Sequence, residues 1–152
     1  MNAMGPGRLA TAEVALDFIL AGNATFTVRS TKTQNRFTYK VKAVPDKSDF
    51  WFVALMSGPD NEVSFQYLGT IRNRDFQLGR KSRINRTAPS FLAFDWFWKN
   101  VAHAKALPSS VEAWHEGKCG MCNRKLTVPE SIERGIGPEC NKRFVSHGKR
   151  LL

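Results

Sequence analysis

Cys119-Gly120-Met121-Cys122 sets two thiols two residues apart, around a turn that Gly120 and Asn123 can close. That spacing lets both sulfurs face one metal ion, although disulfide-exchange sites share it. Cys140 decides between the two chemistries. It follows Gly135-Ile136-Gly137-Pro138, a tight turn into a new helix. A thiol on the first turn of a helix commonly completes a structural zinc site, and the helix N-terminus favours the thiolate. Tetrahedral zinc needs a fourth ligand. His115, four residues before Cys119 on the strand leading into the turn, is preferred to His147, seven residues after Cys140. Three Cys and one His close a structural Zn2+ site, and no His-Glu-x-x-His pattern offers the general base of a catalytic one. An odd number of cysteines, all after residue 118, argues against a disulfide framework.

The second chemistry is phosphate contact. The chain has 23 Lys and Arg against 13 Asp and Glu, a net charge of +10. Such an excess favours polyanions: nucleic acid first, then an anionic membrane surface or an acidic protein. The charge is clustered. From Phe18 to Pro45 there are Arg29, Lys32, Arg36, Lys40 and Lys42 and no acidic residue. From Ile71 to Arg86 there are Arg72, Arg74, Arg80, Lys81, Arg83 and Arg86 against Asp75 alone. Arg124 and Lys125 add to the Cys-rich region. Asp46, Asp49, Asp60, Glu62 and Asp75 sit in expected turns, in no spacing that makes a metal-nuclease site, so a non-enzymatic role is expected.

These groups need positioning elements. With 42% hydrophobic residues, including 11 Phe, the chain can bury a core. Thr11–Ala21 predicts a helix with an apolar stripe of Val14, Ala15, Phe18 and Ile19. Ala24, Phe26 and Val28 alternate with polar residues, and after a polar turn Phe37, Tyr39, Val41 and Ala43 resume the period of two, predicting a hairpin with one buried face. Lys40, Lys42 and Arg29 then fall on its solvent face. Phe50–Met56 is a short apolar run read as a central strand. A turn at Ser57–Asn61 precedes a strand through Val63, Phe65 and Tyr67, reaching Ile71, and Phe76–Leu78 adds a short one. No apolar periodicity follows Leu78, so the basic segment up to Arg86 reads as an exposed loop. Thr87 is expected to cap a helix from Pro89 to Lys105, with Phe91, Phe94, Phe97, Trp98 and Val101 on its core face. Pro129 starts a short helix ended at Gly135. The expected fold is α+β: a small antiparallel sheet covered by helices in residues 1–107, then a small structural zinc-binding domain in 108–152. No apolar run approaches the ~20 residues of a membrane span, and no secretory signal pattern is evident at the start.

The run from His115 to Cys140, His-Glu-Gly-Lys-Cys-Gly-Met-Cys-Asn through Ser-Ile-Glu-Arg-Gly-Ile-Gly-Pro-Glu-Cys, resembles an uncharacterised Cys-rich domain widespread in phage and prophage proteins. Stretches such as Tyr67-Leu68-Gly69-Thr70-Ile71 and Arg80-Lys81-Ser82-Arg83-Ile84 are similar to the region that often precedes it. The resemblance implies a phage-encoded protein acting in a bacterial cytoplasm. It implies zinc at Cys119, Cys122 and Cys140, and supports His115 over His147. Asn123 stands where that domain usually has Gly, and Asn also tolerates the left-handed conformation. The resemblance supplies no activity. The expected function is nucleic-acid binding, DNA or RNA, through basic surfaces. The alternative is a phage inhibitor that binds a host defence protein or nucleoprotein complex.

Overall fold

The computed structural model describes residues 7–56 and 65–146, with side chains as far as Lys142. The turn expected at Ser57–Asn61, Val63 and His147 lie outside the described residues. Helix α1 spans Ala12–Ile19 and is capped by the Thr11 hydroxyl, which accepts from the Val14 N–H at 3.1 Å. Strands β1 (Asn23–Ser30), β2 (Arg36–Ala43), β3 (Phe50–Met56), β4 (Phe65–Arg72) and β5 (Asp75–Leu78) follow. Helix α2 (Pro89–Trp98) widens into a π turn at Lys99–His103. Strand β6 (Val111–His115) and helices α3 (Pro129–Arg134) and α4 (Pro138–Ser146) complete the order.

All six strands form one antiparallel sheet in the order β5-β4-β3-β2-β1-β6. The first five make a meander, and β6 returns by way of α2 to pair with β1 at the opposite end. The hairpin period is as expected. Ala24, Phe26, Val28, Tyr39 and Val41 are buried on one face and continue into Trp51, Val53, Leu68 and Ile71. Helices α1 and α2 lie on this face. Phe94 of α2 meets the rings of Tyr39, Phe76 and Phe26, and Phe18 of α1 meets Phe26 edge-on. The Tyr39 hydroxyl donates to the Ser90 carbonyl at 2.7 Å, tying the sheet centre to the first turn of α2. Its burial pushes the phenol pKa upward, so it stays a neutral donor.

Three expectations change. The division expected at residue 108 cuts through the sheet's own chain, because β6 pairs with β1 and its Val111 and Ala113 belong to the main core. Thr87 does not cap α2. Its hydroxyl and N–H both donate to Asn85 Oδ1 at 2.9 Å, and Ala88 takes the cap position. Strict alternation fails in β4. The pairing slips between Val53 and Ala54, whose partners are Gly69 and Tyr67, so Leu68 is an extra residue that drops into the core. Phe65 and Tyr67 consequently pair with Met56 and Ala54 on the face opposite the core.

Candidate functional site

The chain leaves β6 at His115 and forms a small hairpin, with Leu126 N–H bonding the Gly117 carbonyl at 2.7 Å and a bridge between Lys118 and Lys125. Inside it Asn123 N–H bonds the Cys119 carbonyl at 2.9 Å, with Asn123 at φ 66°, the left-handed conformation that its residue type tolerates. Helix α3 then ends at Gly135, whose φ of 79° is a left-handed cap. The turn through Gly137-Pro138 delivers Cys140 on the first turn of α4.

These turns bring the sulfurs of Cys119, Cys122 and Cys140 within 4.8 Å of one another, with Cys119 and Cys140 buried and Cys122 at the surface. Cys119 Sγ accepts from the backbone N–H groups of Met121 at 3.3 Å, Cys122 at 3.5 Å and Gly137 at 3.3 Å. Burial pushes the Cys119 thiol up, but these donors and the Cys122 side chain outweigh it and the net shift is downward. A metal held by three thiolates at a Zn–S distance of about 2.3 Å would have sulfurs about 3.8 Å apart, so the cluster fits an ion after a small contraction. Ala21, Leu126 and Ile136 pack with the two buried cysteines in a cluster of their own, with Met121 and Ile132 beside it.

His115, the expected fourth ligand, stands outside this group of three thiols. Nε2 donates to the Ile132 carbonyl at 2.6 Å, and Nδ1 accepts from the Gly117 N–H at 2.9 Å. Both ring nitrogens are thus committed to backbone, and the ring is buried against Phe18 with centroids 5.4 Å apart. Burial lowers its pKa, partly offset by the Ile132 bond, so the ring is neutral. His115 fastens α3 to the sheet.

The Cys-rich unit is seated on α1. A Cβ on Gly120 would come within 2.7 Å of the Phe18 ring, and one on Gly135 within 2.5 Å. Only glycine at both positions lets the two turns close over Phe18. Gly120 N–H bonds the Gly135 carbonyl at 2.8 Å, and Asn23 N–H at the start of β1 bonds the Gly120 carbonyl at 2.7 Å.

The second candidate site is the sheet face turned away from α1 and α2. Strands β1 to β4 contain no acidic residue. Cross-strand register builds the row Asn23, Lys42, Phe52, Thr70, Gln77, and beside it the row Thr25, Lys40, Ala54, Tyr67. Lys42 and Arg72 are exposed, and Phe52 is 47% exposed, high for a ring in a central strand. The Lys40 ammonium lies 5.2 Å from the Phe65 centroid and the Arg72 guanidinium 4.3 Å from that of Phe50. Arg80, Lys81, Arg83 and Arg86 are exposed as expected, in a turn that is tied down. Ser82 Oγ donates to the Tyr67 carbonyl at 3.0 Å, Ile84 N–H bonds Ser82 Oγ at 3.1 Å, and Ile84 packs on the core. Arg124 and Lys125 are exposed at the tip of the Cys-rich hairpin. Arg74 is half-buried, with one guanidinium nitrogen inside the protein.

Arg29, also expected to contact phosphate, is engaged within the protein. It bonds Glu112 Oε1 at 2.8 Å and Gln34 Oε1 at 2.7 Å and lies over the Trp114 ring. Its charge is spent in pairing β1 to β6.

The sequence model of a family of unknown function, DUF6011, matches residues 112–145. No curated protein and no solved structure matches the chain. The matched span runs from β6 through α4 and contains His115 and all three cysteines. It therefore begins inside the six-stranded sheet, with the strand whose last residue fastens α3. Sequence reasoning missed Phe50, Phe52, Phe65 and Tyr67 as surface groups. A continuous apolar run such as Phe50–Met56 carries no parity of its own; the signal was its pairing with a β2 whose outward residues are Lys40 and Lys42.

Proposed function

We propose that this protein binds nucleic acid without catalysing a reaction. Its outward sheet face and the Arg80–Lys81 turn grip phosphates, and Cys119, Cys122 and Cys140 hold one structural Zn2+. The observation that carries the reading is the acid-free field of strands β1 to β4, which presents Lys40, Lys42 and Arg72 on the face away from the helices. A polyanion neutralises such a field, and each phosphate contact gains free energy by releasing counterions. A soft thiolate set favours Zn2+ over the hard divalent ions. The small cluster around Cys119 and Cys140 has few apolar residues, so the ion contributes much of that unit's folding free energy.

A protein partner, as in the inhibitor of a bacterial defence complex, is the second reading. It is favoured by Leu92 at 51% and Trp96 at 46% exposure on α2. They line a groove of about 450 Å3 shared with Phe37 and Val111.

The two readings separate in one binding series. Fluorescence anisotropy at low salt should show the wild type binding labelled oligonucleotides. The Lys40→Glu/Lys42→Glu variant should bind at least about tenfold more weakly, since two favourable contacts become repulsive. Full affinity in that variant would remove the sheet face from the account. A wild type that binds no DNA or RNA would hand the function to the protein-partner reading.

A further inference from the structure

We infer that the outward sheet face is a single-strand site, in which a nucleobase stacks on Phe52 beside Tyr67 while Lys42, Arg80 and Lys81 hold the flanking phosphates. The inference rests on the nucleic-acid reading above and goes beyond it, because a basic face alone would serve a duplex equally well.

Rings separate the two cases. Duplex DNA hides the faces of its bases, so a duplex-binding surface gains little from exposed flat aromatic groups, whereas a single strand offers every base for stacking. The ring array here is held in place. Phe50 and Phe52 meet with centroids 5.6 Å apart, and Phe52 and Tyr67 at 6.0 Å with planes at 83°. These edge-to-face contacts fix the orientation of Phe52 and leave nearly half of it in solvent. Tyr67 lies across the backbone of Gly79, so closely that a Cβ there would overlap its ring. Small Ala54 lies between Lys40 and Tyr67 in the register, leaving a recess of about 530 Å3 lined by Phe52, Ala54, Tyr67, Arg80 and Lys81. That size is within the range of small-ligand pockets, about 300–1,000 Å3.

The cations are at the rim of the same recess. The Ser82 bond to the Tyr67 carbonyl ties the basic turn to the aromatic strand, which fixes Arg80 and Lys81 beside the rings. Lys42 pairs directly with Phe52 from the neighbouring strand. Apolar rings enclosed by cations with no acidic residue in β1 to β4 complement a ligand with flat apolar faces on an anionic thread. An apolar protein segment would leave these cations unpaired.

The test compares Phe52→Ala, Phe52→Leu and Phe52→Trp on labelled single-stranded DNA, single-stranded RNA and duplex DNA, with circular dichroism as the folding control. Stacking predicts that Ala and Leu both weaken single-strand binding roughly tenfold or more, that Trp preserves it, and that the salt slope is unchanged. It also predicts that, under ultraviolet irradiation that cleaves the C–I bond and releases HI, an oligonucleotide carrying 5-iodouracil cross-links to Phe52 or Tyr67. Wild-type affinity in Phe52→Leu, or equal losses on duplex and single strand, would overturn the inference while leaving phosphate binding intact. Failure of the wild type to bind any of the three probes would instead overturn the reading beneath it.

Discussion

Replacing His115 by Ala removes a buried ring and strands the Ile132 carbonyl and the Gly117 N–H. Unpaired buried groups of this kind cost about 2–4 kcal/mol in total, so a clear loss in Tm is expected. Metal content should stay at one equivalent, because the three thiols do not depend on the imidazole. Loss of the ion at full folding would restore His115 as a ligand. The ring also sets a pH dependence. Burial holds its folded pKa below the ordinary value of about 6.5, so the unfolded chain binds the proton more readily. Its neutral form therefore costs nothing above pH ~6.5. Stability is lost as pH falls from there toward the lower folded pKa. A His115→Gln variant should lack that part of the acid-side slope in thermal melts. The sequence placed His115 correctly beside the Cys-rich turn, since four residues of spacing fix proximity. It could not reveal that backbone groups from Gly117 and from α3 occupy both nitrogens.

The Cys-rich unit and the sheet share a seam instead of a linker. Phe18 belongs to the main core and lies under Gly120 and Gly135, while the buried cysteines have their own apolar neighbours. Cys140→Ser should release the metal and unprotect the amides from about Gly117 to the end of α4. Strands β1 to β5 should remain protected in hydrogen exchange. Exchange that rises equally in the sheet would mean that the ion supports the whole molecule. The helix endings here were legible, because Pro129, Gly135 and Pro138 act locally. The same is true of the hairpin, where alternation and turn chemistry agree. The join of β6 to β1 was not, because the Arg29–Glu112 pairing closes 83 residues of chain and leaves no local signature. Nor was the extra residue at Leu68, which only the slip against β3 reveals.

Across the whole molecule the +10 charge is unevenly committed. Arg29 is paired with Glu112, whereas Lys42, Arg72, Arg80 and Lys81 are exposed, with Arg80 and Lys81 lining one aromatic recess. Composition raised the expectation of a polyanion partner, and the order of residues along the chain gathered the charge into segments whose Lys42, Arg72, Arg80 and Lys81 the fold leaves exposed. It could not say which side chains were already paired, because that depends on contacts between distant strands. Among the described residues no helix is long and apolar enough to cross a membrane. The outward sheet face is proposed to make the phosphate contacts. The dependence of oligonucleotide affinity on salt tests this role, for the wild type and for Lys40→Ala/Lys42→Ala/Arg72→Ala. The wild type should lose affinity steeply as salt rises. The variant's log–log slope should be shallower by about 0.7–0.9 for each of up to three lost contacts, with Tm and metal content nearly unchanged. Identical slopes for the two proteins would contradict the claim.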